Sequence, residues 1–154
     1  FEMSKQVQKL AQDTAEVVYD LSINMNDYRL TFMEGNLMEG QEDIIEVAKT
    51  DHLLWKWNIY NLILGVASIS KSDLTSHTAC RLGKWYYEGK GLELKNEQAY
   101  KDLEEPHKAV HNCAKHALEQ YELGNIDEAK EALSRLETAS ETVVHLLEEM
   151  KSKL

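Results

Sequence analysis

The spacing of apolar residues predicts helices along most of the chain. In two long segments an apolar side chain recurs every three or four residues, the repeat of one helix face. The first segment has heptad-like spacing, typical of a helix that packs against a near-parallel partner. Its stripe consists of Val7, Leu10, Thr14, Val17, Leu21, Asn24 and Tyr28. The pattern therefore predicts a long N-terminal helix, and Gly35 and Gly40 mark its end.

A second long helix is predicted from about Glu42 to Ser70. Its stripe consists of Ile45, Ala48, His52, Trp55, Ile59, Leu62, Val66 and Ile69. His52 lies in line with apolar residues, so its ring should point into the protein. A buried imidazole needs a polar partner, which is either a core hydrogen-bonding group or a metal ion.

The middle of the chain predicts shorter elements. After the polar connection "SKSDLTSHT", a short helix should carry Cys80 and end at Gly89 and Gly91. A brief helical piece is predicted around residues 97–103. Pro106 suits the first turn of a new helix, where the missing N–H costs nothing.

The C-terminal part predicts two further long helices. The helix that starts near Pro106 should run to Leu123 and stop at Gly124. Asn125 is placed to cap the last helix, with Glu128 completing a capping-box pattern. The stripe of this helix is Ile126, Ala129, Leu133, Leu136, Ser140, Val143, Leu147, Met150 and Leu154.

These elements predict an all-α fold, an antiparallel helical bundle with a long N-terminal helix. Residues 1–40 should form the N-terminal helix and residues 41–154 the bundle. A chain of 154 residues is long enough for one domain with its own core. The chain opens "FEMSKQ" without an initiator Met, which suggests a piece of a longer protein.

The charge of the chain narrows its range of partners. The formal net charge is −10 without a basic patch, so no nucleic-acid partner is expected. No apolar run is long enough to span a membrane, so no membrane insertion is expected. Two cysteines imply no disulfide framework, and a cytoplasmic location is the simplest expectation.

A group of histidines and a cysteine has the character of a metal site. His107 and His111 are four residues apart and would lie on one face of a helix, although such pairs also occur by chance. Gly83 follows Cys80 by about one turn, and a helical glycine there suggests close approach to another helix or to a metal. With His52, these residues offer three imidazoles and one thiolate, a complete tetrahedral set for Zn²⁺.

The segments "HLLW", "CRLGKWYY" and "HKAVH", which contain these residues, resemble the chemoreceptor zinc-binding domain family over roughly residues 42–154. The resemblance implies that His52, Cys80, His107 and His111 are the zinc ligands. It also implies a cytoplasmic bacterial helical bundle, often dimeric, attached to a chemoreceptor or a diguanylate cyclase whose output zinc or oxidants modulate. The long N-terminal helix resembles the trailing end of a receptor signalling helix. A chemoreceptor signalling domain is therefore expected upstream in the same chain.

A homodimer is also expected from the apolar stripes. The N-terminal stripe over residues 7–21 and the C-terminal stripe over residues 133–154 together exceed what one short bundle must bury. With one thiolate among four ligands, Cys80 is the expected switch of a regulatory zinc sensor of chemotaxis signalling. The alternatives are a dimerisation module stapled by zinc, an oligomerisation module whose histidines are incidental, and a regulator of a diguanylate cyclase.

The remaining candidates are assigned other roles. His77 is read as solvated, with a minor chance of being an alternative ligand. His116 and Cys113 should point away from the metal, and His145 should be exposed because it lies off the stripe of its helix. The carboxylates that could orient the histidines are Asp51, Glu104 and Glu105.

An enzyme is not expected. A di-iron centre needs two Glu-x-x-His motifs and two further glutamates. Glu104 and His107 supply one motif, whereas Glu141 and His145 are four residues apart. Four protein ligands would also leave no open position on zinc for a substrate water.

Overall fold

The computed structural model describes the backbone of residues 2–34 and 40–154, and the side chains of residues 4–28 and 40–154. Its described residues form five α-helices and no strand, which confirms the predicted all-α fold. The helices are α1 (Glu2–Glu34), α2 (Gln41–Ile63), α3 (Arg81–Tyr87), α4 (Gln98–Glu122) and α5 (Ile126–Lys151). Short 3₁₀ segments occupy Lys71–Asp73 and Lys90–Leu94. None of the described helices has the length and apolar character that crossing a membrane requires.

Helices α4 and α5 pair as a hairpin, and α2 packs mainly on α5 to close the core. The turn between α4 and α5 contains Gly124 with φ +80°, the predicted helix stop. Asn125 precedes α5 as predicted, but its side chain does not cap the helix, because its amide donates to Gln120. Glu128 instead accepts hydrogen bonds from His116 and Arg135. The predicted capping box is therefore wrong.

Helix α4 runs through Pro106, contrary to the prediction that Pro106 begins a helix. A proline inside a helix removes one backbone hydrogen bond and costs about 3 kcal/mol or more. The helix nevertheless presents one continuous buried face on both sides of Pro106, with Ala99 and Leu103 before it and His107 and Val110 after it. Burial of this face outweighs the local cost, so the predicted break is absent.

Helix α2 ends at Ile63, seven residues before the predicted Ser70. Gly65 lies just beyond it with φ +74°, a left-handed conformation in which glycine carries no steric penalty. Its backbone N–H donates to the carbonyl of Leu62, which closes the last turn. The chain then leaves the helix axis and runs as a loop towards α3.

Helix α1 packs on α2 through a face that the sequence did not predict. Ala15 and Ser22 are only 2% and 4% exposed. Their small side chains let α1 and α2 approach closely, and this close approach buries both residues. The Ser22 hydroxyl donates to the carbonyl of Val18, so its burial leaves no unsatisfied group. The apolar residues of the predicted stripe are 53–78% exposed instead, namely Val7, Leu10, Val17, Leu21 and Tyr28.

Helix α5 buries its predicted stripe within the same chain. Its buried members include Leu133, Leu136, Val143, Leu147 and Met150. Of this stripe, Leu154 is largely exposed. The C-terminal stripe is thus satisfied by the bundle itself and does not support the expected dimer.

Candidate metal centre

Four side chains from three segments of the bundle converge on one point. His52 comes from α2, Cys80 from the start of α3, and His107 and His111 from successive turns of α4. One ligand atom of each residue lies within 4.8 Å of the corresponding atoms of the other three. The structure thus brings together all four residues that the sequence singled out.

His52 is 4% exposed, as its position in the apolar stripe predicted. Its Nδ1 lies 2.6 Å from the carbonyl oxygen of Ala48, one turn earlier in α2. Because a carbonyl only accepts, Nδ1 carries the proton and Nε2 presents a lone pair. Nε2 is buried and has no hydrogen-bond partner within the described part of the chain. A buried lone pair of this kind is costly unless it binds something.

His111 is held in the same tautomer by a different carbonyl. Its Nδ1 lies 2.8 Å from the oxygen of Thr75, in the loop between α2 and α3. Its Nε2 faces the Nε2 of His107 at 3.2 Å. The Trp55 ring packs on His111 with the ring centroids 4.4 Å apart, which fixes the imidazole plane. Two imidazole nitrogens therefore point at one position.

Cys80 precedes α3 and caps it, whereas the sequence predicted it inside the helix. Its sulfur accepts from the backbone N–H of Gly83 at 3.3 Å and lies 3.3 Å from Nε2 of His107. Its S–H points to the carbonyl of His77 at 3.4 Å. A sulfur at a helix N-terminus next to a donated N–H is well placed to carry negative charge.

Gly83 allows the backbone that precedes α3 to pack closely against this helix, which is not the contact that the sequence predicted for Gly83. A Cβ on Gly83 would lie 1.9 Å from the carbonyl oxygen of His77 and 2.8 Å from the backbone of Thr78. The close neighbour is therefore the turn that precedes α3, rather than another helix or a metal. The missing side chain lets this turn fold back over the first turn of α3.

Helix α3 is anchored by aromatic residues at its far end. Trp85 and Tyr86 are buried, whereas Tyr87 is only half-buried. Tyr86 and Tyr100 stack with centroids 4.0 Å apart. Each hydroxyl donates to the other residue's carbonyl, at 2.9 and 2.7 Å. These contacts fix α3 to α4 and so fix Cys80 relative to His107.

Burial keeps the three imidazoles neutral. It lowers the pKa of His52, lowers that of His107 to about 2 and lowers that of His111 to about 4, with the neighbouring histidines adding to the shift of the last two. Burial also raises the pKa of the Cys80 thiol, because desolvation outweighs the N–H groups and Arg81 that favour the thiolate. Neutral nitrogen donors are the form that binds a metal.

The donor set and its spacing fit zinc. Zn–N bonds of about 2.0–2.1 Å and Zn–S bonds of about 2.3 Å separate the corners of a tetrahedron by roughly 3.3–3.7 Å. The two closest pairs, from His107 to Cys80 and to His111, are already 3.3 and 3.2 Å apart. A cavity of about 20 Å³ adjoins the cluster and is lined by His52, Cys80 and His111 among others, which is room for an ion.

The remaining histidines and Cys113 are not members of the four-residue cluster. His116 contacts Glu128, the His145 side chain is 79% exposed, and Cys113 packs half-buried against the core, so all three are turned elsewhere as predicted. His77 is half-buried rather than solvated, and its ring centroid lies 6.0 Å from that of His107.

The groups that orient the histidines were missed by sequence reasoning. Two are backbone carbonyls, of Ala48 and Thr75. Of the proposed carboxylates, Asp51 pairs with Arg81 at 3.0 Å, Glu104 accepts from the Tyr87 hydroxyl, and Glu105 is exposed. The Ala48 carbonyl could have been anticipated, because it stands four residues before His52 on one helix face. The Thr75 carbonyl depends on the path of a loop.

Comparison with known proteins agrees with this geometry. Residues 52–118 match the family model of the chemoreceptor zinc-binding domain. The match includes all four clustered residues and is narrower than the resemblance over residues 42–154. No curated protein and no solved structure matches the chain. Residues 52–118 are therefore similar to the chemoreceptor zinc-binding domain, as the resemblance predicted, and zinc is the cofactor of that family.

Proposed function

We propose that this domain is a regulatory, non-catalytic zinc sensor in which His52, Cys80, His107 and His111 hold one Zn²⁺. The observation that carries the proposal is the convergence of three buried imidazoles and one half-buried thiol, and one of these donors, Nε2 of His52, lacks a partner among the described residues. Bound zinc would keep the sulfur ionised and join α2, α3 and α4 at one point. Four protein donors leave no vacancy for a substrate water, which supports a regulatory role.

Cys80 is the element that gives the site its response. A thiolate is the one readily oxidised donor of the four, and hypochlorous acid converts it to a sulfenic acid with release of chloride. A sulfenic acid is a far poorer zinc ligand than a thiolate. Because Cys80 also caps α3, the loss of its negative sulfur weakens the start of that helix. The chemical event therefore acts on both the metal and a short helix.

The test is zinc transfer to a colorimetric chelator during titration with hypochlorous acid. Elemental analysis should first find one zinc per chain. About one equivalent of oxidant should then move most of the zinc to the chelator, because a single sulfur is modified. Cys80→Asp should bind zinc without an oxidant-dependent transfer, since its carboxylate is not oxidised.

Cys113→Ser is the matched control, because Cys113 is half-buried and lies outside the cluster. It should transfer zinc as the unmodified protein does. The switch is refuted if Cys113→Ser abolishes the transfer while mass spectrometry finds Cys80 reduced, or if zinc leaves only when the whole domain unfolds. Absence of zinc in the purified protein would refute the ligand set itself.

A homodimer through α1 is proposed on the basis of its exposed stripe. Val7, Leu10, Val17 and Leu21 follow the three-and-four spacing of a coiled-coil seam, and all are exposed in the single chain. A seam with this repeat is complementary to a second copy of the same helix. The exposed apolar surface is a liability on a monomer and is removed by self-association.

Val17→Glu combined with Leu21→Glu should weaken dimerisation at least about 100-fold, because two charges would face each other across the seam. Light scattering over a dilution series measures the dissociation constant. Leu123→Glu is the control, since Leu123 is 71% exposed but lies at the end of α4 and is not part of the α1 stripe. Monomeric unmodified protein at every concentration, or equal effects of the two changes, would contradict the α1 interface.

The wider setting is proposed from the family. Chemoreceptor zinc-binding domains occur in chemoreceptor-type signalling proteins, so we place this one in the cytoplasm, after a signalling domain in the same chain, with residues 1–40 as the connecting helix and residues 41–154 as the sensor. The alternative is a regulator of a diguanylate cyclase. The sequence encoded before Phe1 distinguishes them: a receptor signalling hairpin supports the first and a cyclase domain the second.

A further inference from the structure

A fourth imidazole lies beside the four clustered donors. The ring centroid of His77 is 6.0 Å from that of His107 and 6.3 Å from that of His111. Within the cluster, the ring centroids of His52 and His111 are themselves 5.8 Å apart. His77 is thus less than 1 Å farther from its neighbours than two proposed ligands are from each other.

His77 and Cys80 belong to the same tight turn. The backbone N–H groups of Ala79 and Cys80 both donate to the carbonyl of Ser76, at 3.1 Å. The Cys80 thiol points to the carbonyl of His77 at 3.4 Å. The sulfur and the imidazole therefore approach the cluster from the same element.

The surroundings of His77 keep its ring at this place. It packs edge-on against Tyr87, with the centroids 6.2 Å apart, and is half-buried. Its side chain lies on a loop, whereas His52, His107 and His111 are fixed on helices. Of the donors near the centre, His77 and Cys80 are consequently the two that a loop movement can shift.

We propose that His77 is a reserve zinc donor, which takes the place of Cys80 when the sulfur is not available as a thiolate. The inference rests on the proposed ligand set and adds a second state to it, with four imidazoles. Four neutral nitrogens form an acceptable zinc site, but they leave the full +2 charge uncompensated, so the second state is weaker. Loss of the thiolate then lowers zinc affinity enough for a competing chelator to remove the metal, whereas without a chelator the four imidazoles retain zinc and the turn that carries Cys80 is displaced.

The proposal is tested by zinc affinity in a double-mutant cycle on the full chain, measured by competition with a chelator. His77→Ala alone should change affinity less than about threefold, because the thiolate set is intact. In a Cys80→Ala background, His77→Ala should weaken zinc binding by a further tenfold or more, about 1.4 kcal/mol. Such non-additivity is expected only if the two residues compete for one position.

His116→Ala provides the control in both backgrounds, since His116 contacts Glu128 and lies outside the cluster. It should leave zinc affinity unchanged. Cobalt substitution adds a spectroscopic readout: the thiolate charge-transfer band should vanish in Cys80→Ala, and the ligand-field bands of that variant should change again when His77 is removed. Circular dichroism confirms that each variant is folded.

Each outcome has a definite meaning. Equal effects of His77→Ala in both backgrounds, no effect in the Cys80→Ala background, or a Cys80→Ala variant that binds no zinc at all would overturn the reserve donor. If the unmodified protein itself binds no zinc, the proposed ligand set has failed. If the unmodified protein and Cys80→Ala both bind zinc but His77 makes no difference, only the present inference has failed.

Discussion

Removing zinc with a strong chelator is expected to lower the unfolding temperature by roughly 10 °C. A ligand that binds only the native state adds about 4 kcal/mol when its free concentration is 1,000 times its dissociation constant. For a chain of this size, 1 kcal/mol corresponds to about 2–4 °C. The effect should be smaller than in a zinc finger, because α2, α4 and α5 share a core of their own.

The stability lost on removal of zinc should be concentrated near the metal site. Without zinc, three buried imidazoles and a half-buried thiol remain close together, with the Nε2 lone pair of His52 unsatisfied among the described residues. Hydrogen exchange should therefore increase most in residues 64–80, none of which is buried, and in the first turn of α3 beside Cys80.

Differential scanning calorimetry with and without chelator provides the measurement, and elemental analysis verifies that zinc has left. His145→Ala is the control for histidine removal, because its side chain is 79% exposed, and it should melt and respond to chelator as the unmodified protein does. An unchanged melting temperature after verified zinc removal would show that the metal has no structural part.

The periodicity of the chain was sufficient to predict which face of α2 and α5 is buried. His52 is buried between Ala48 and Ile59, and Leu136, Val143 and Leu147 are buried on α5, as their spacing required. In these helices, large apolar side chains recur every three or four residues and charged side chains occupy the positions between them. Only one face of each helix can therefore enter the core. The same periodicity predicted that the ring of His52 points into the protein.

Periodicity was not sufficient where small residues or competing energies decide. The stripe of large side chains on α1 faces away from α2, because Ala15 and Ser22 allow a closer approach. Pro106 did not break α4, because burial of a continuous face exceeds the cost of one lost hydrogen bond. A local sequence feature such as a proline predicts a helix boundary only when packing against residues distant in sequence does not favour a continuous helix.

The loop before α3 is the part of the site that the sequence could not predict. Its path places the Thr75 carbonyl on His111 and the His77 ring beside His107, although these pairs are far apart in sequence. The sequence pattern predicted close approach of another helix or a metal at Gly83, but the approaching group is the backbone of His77 and Thr78. Loop geometry of this kind is set by tertiary contacts, which no short pattern encodes.

Gly83→Ala is expected to destabilise the protein by about 3 kcal/mol, at the upper end of overpacking effects. Helix propensity alone gives the opposite sign, because alanine is about 1 kcal/mol better than glycine inside a helix. The steric contact determines the sign of the change in stability. The new Cβ would lie 1.9 Å from the carbonyl oxygen of His77, and a backbone oxygen cannot rotate away as a side chain can. The turn would have to move as a whole and carry Cys80 with it.

The same change should weaken zinc binding by about 100-fold, within the range for loss of groups that orient metal ligands. Thermal unfolding and chelator competition measure the two effects. Gly40→Ala is the matched control, because a Cβ there meets no atom within 4 Å, and it should cost no more than about 1 kcal/mol as a change at a helix N-cap. If Gly83→Ala melts at or above the temperature of the unmodified protein and binds zinc equally well, the close packing of the His77–Thr78 turn on α3 does not position Cys80.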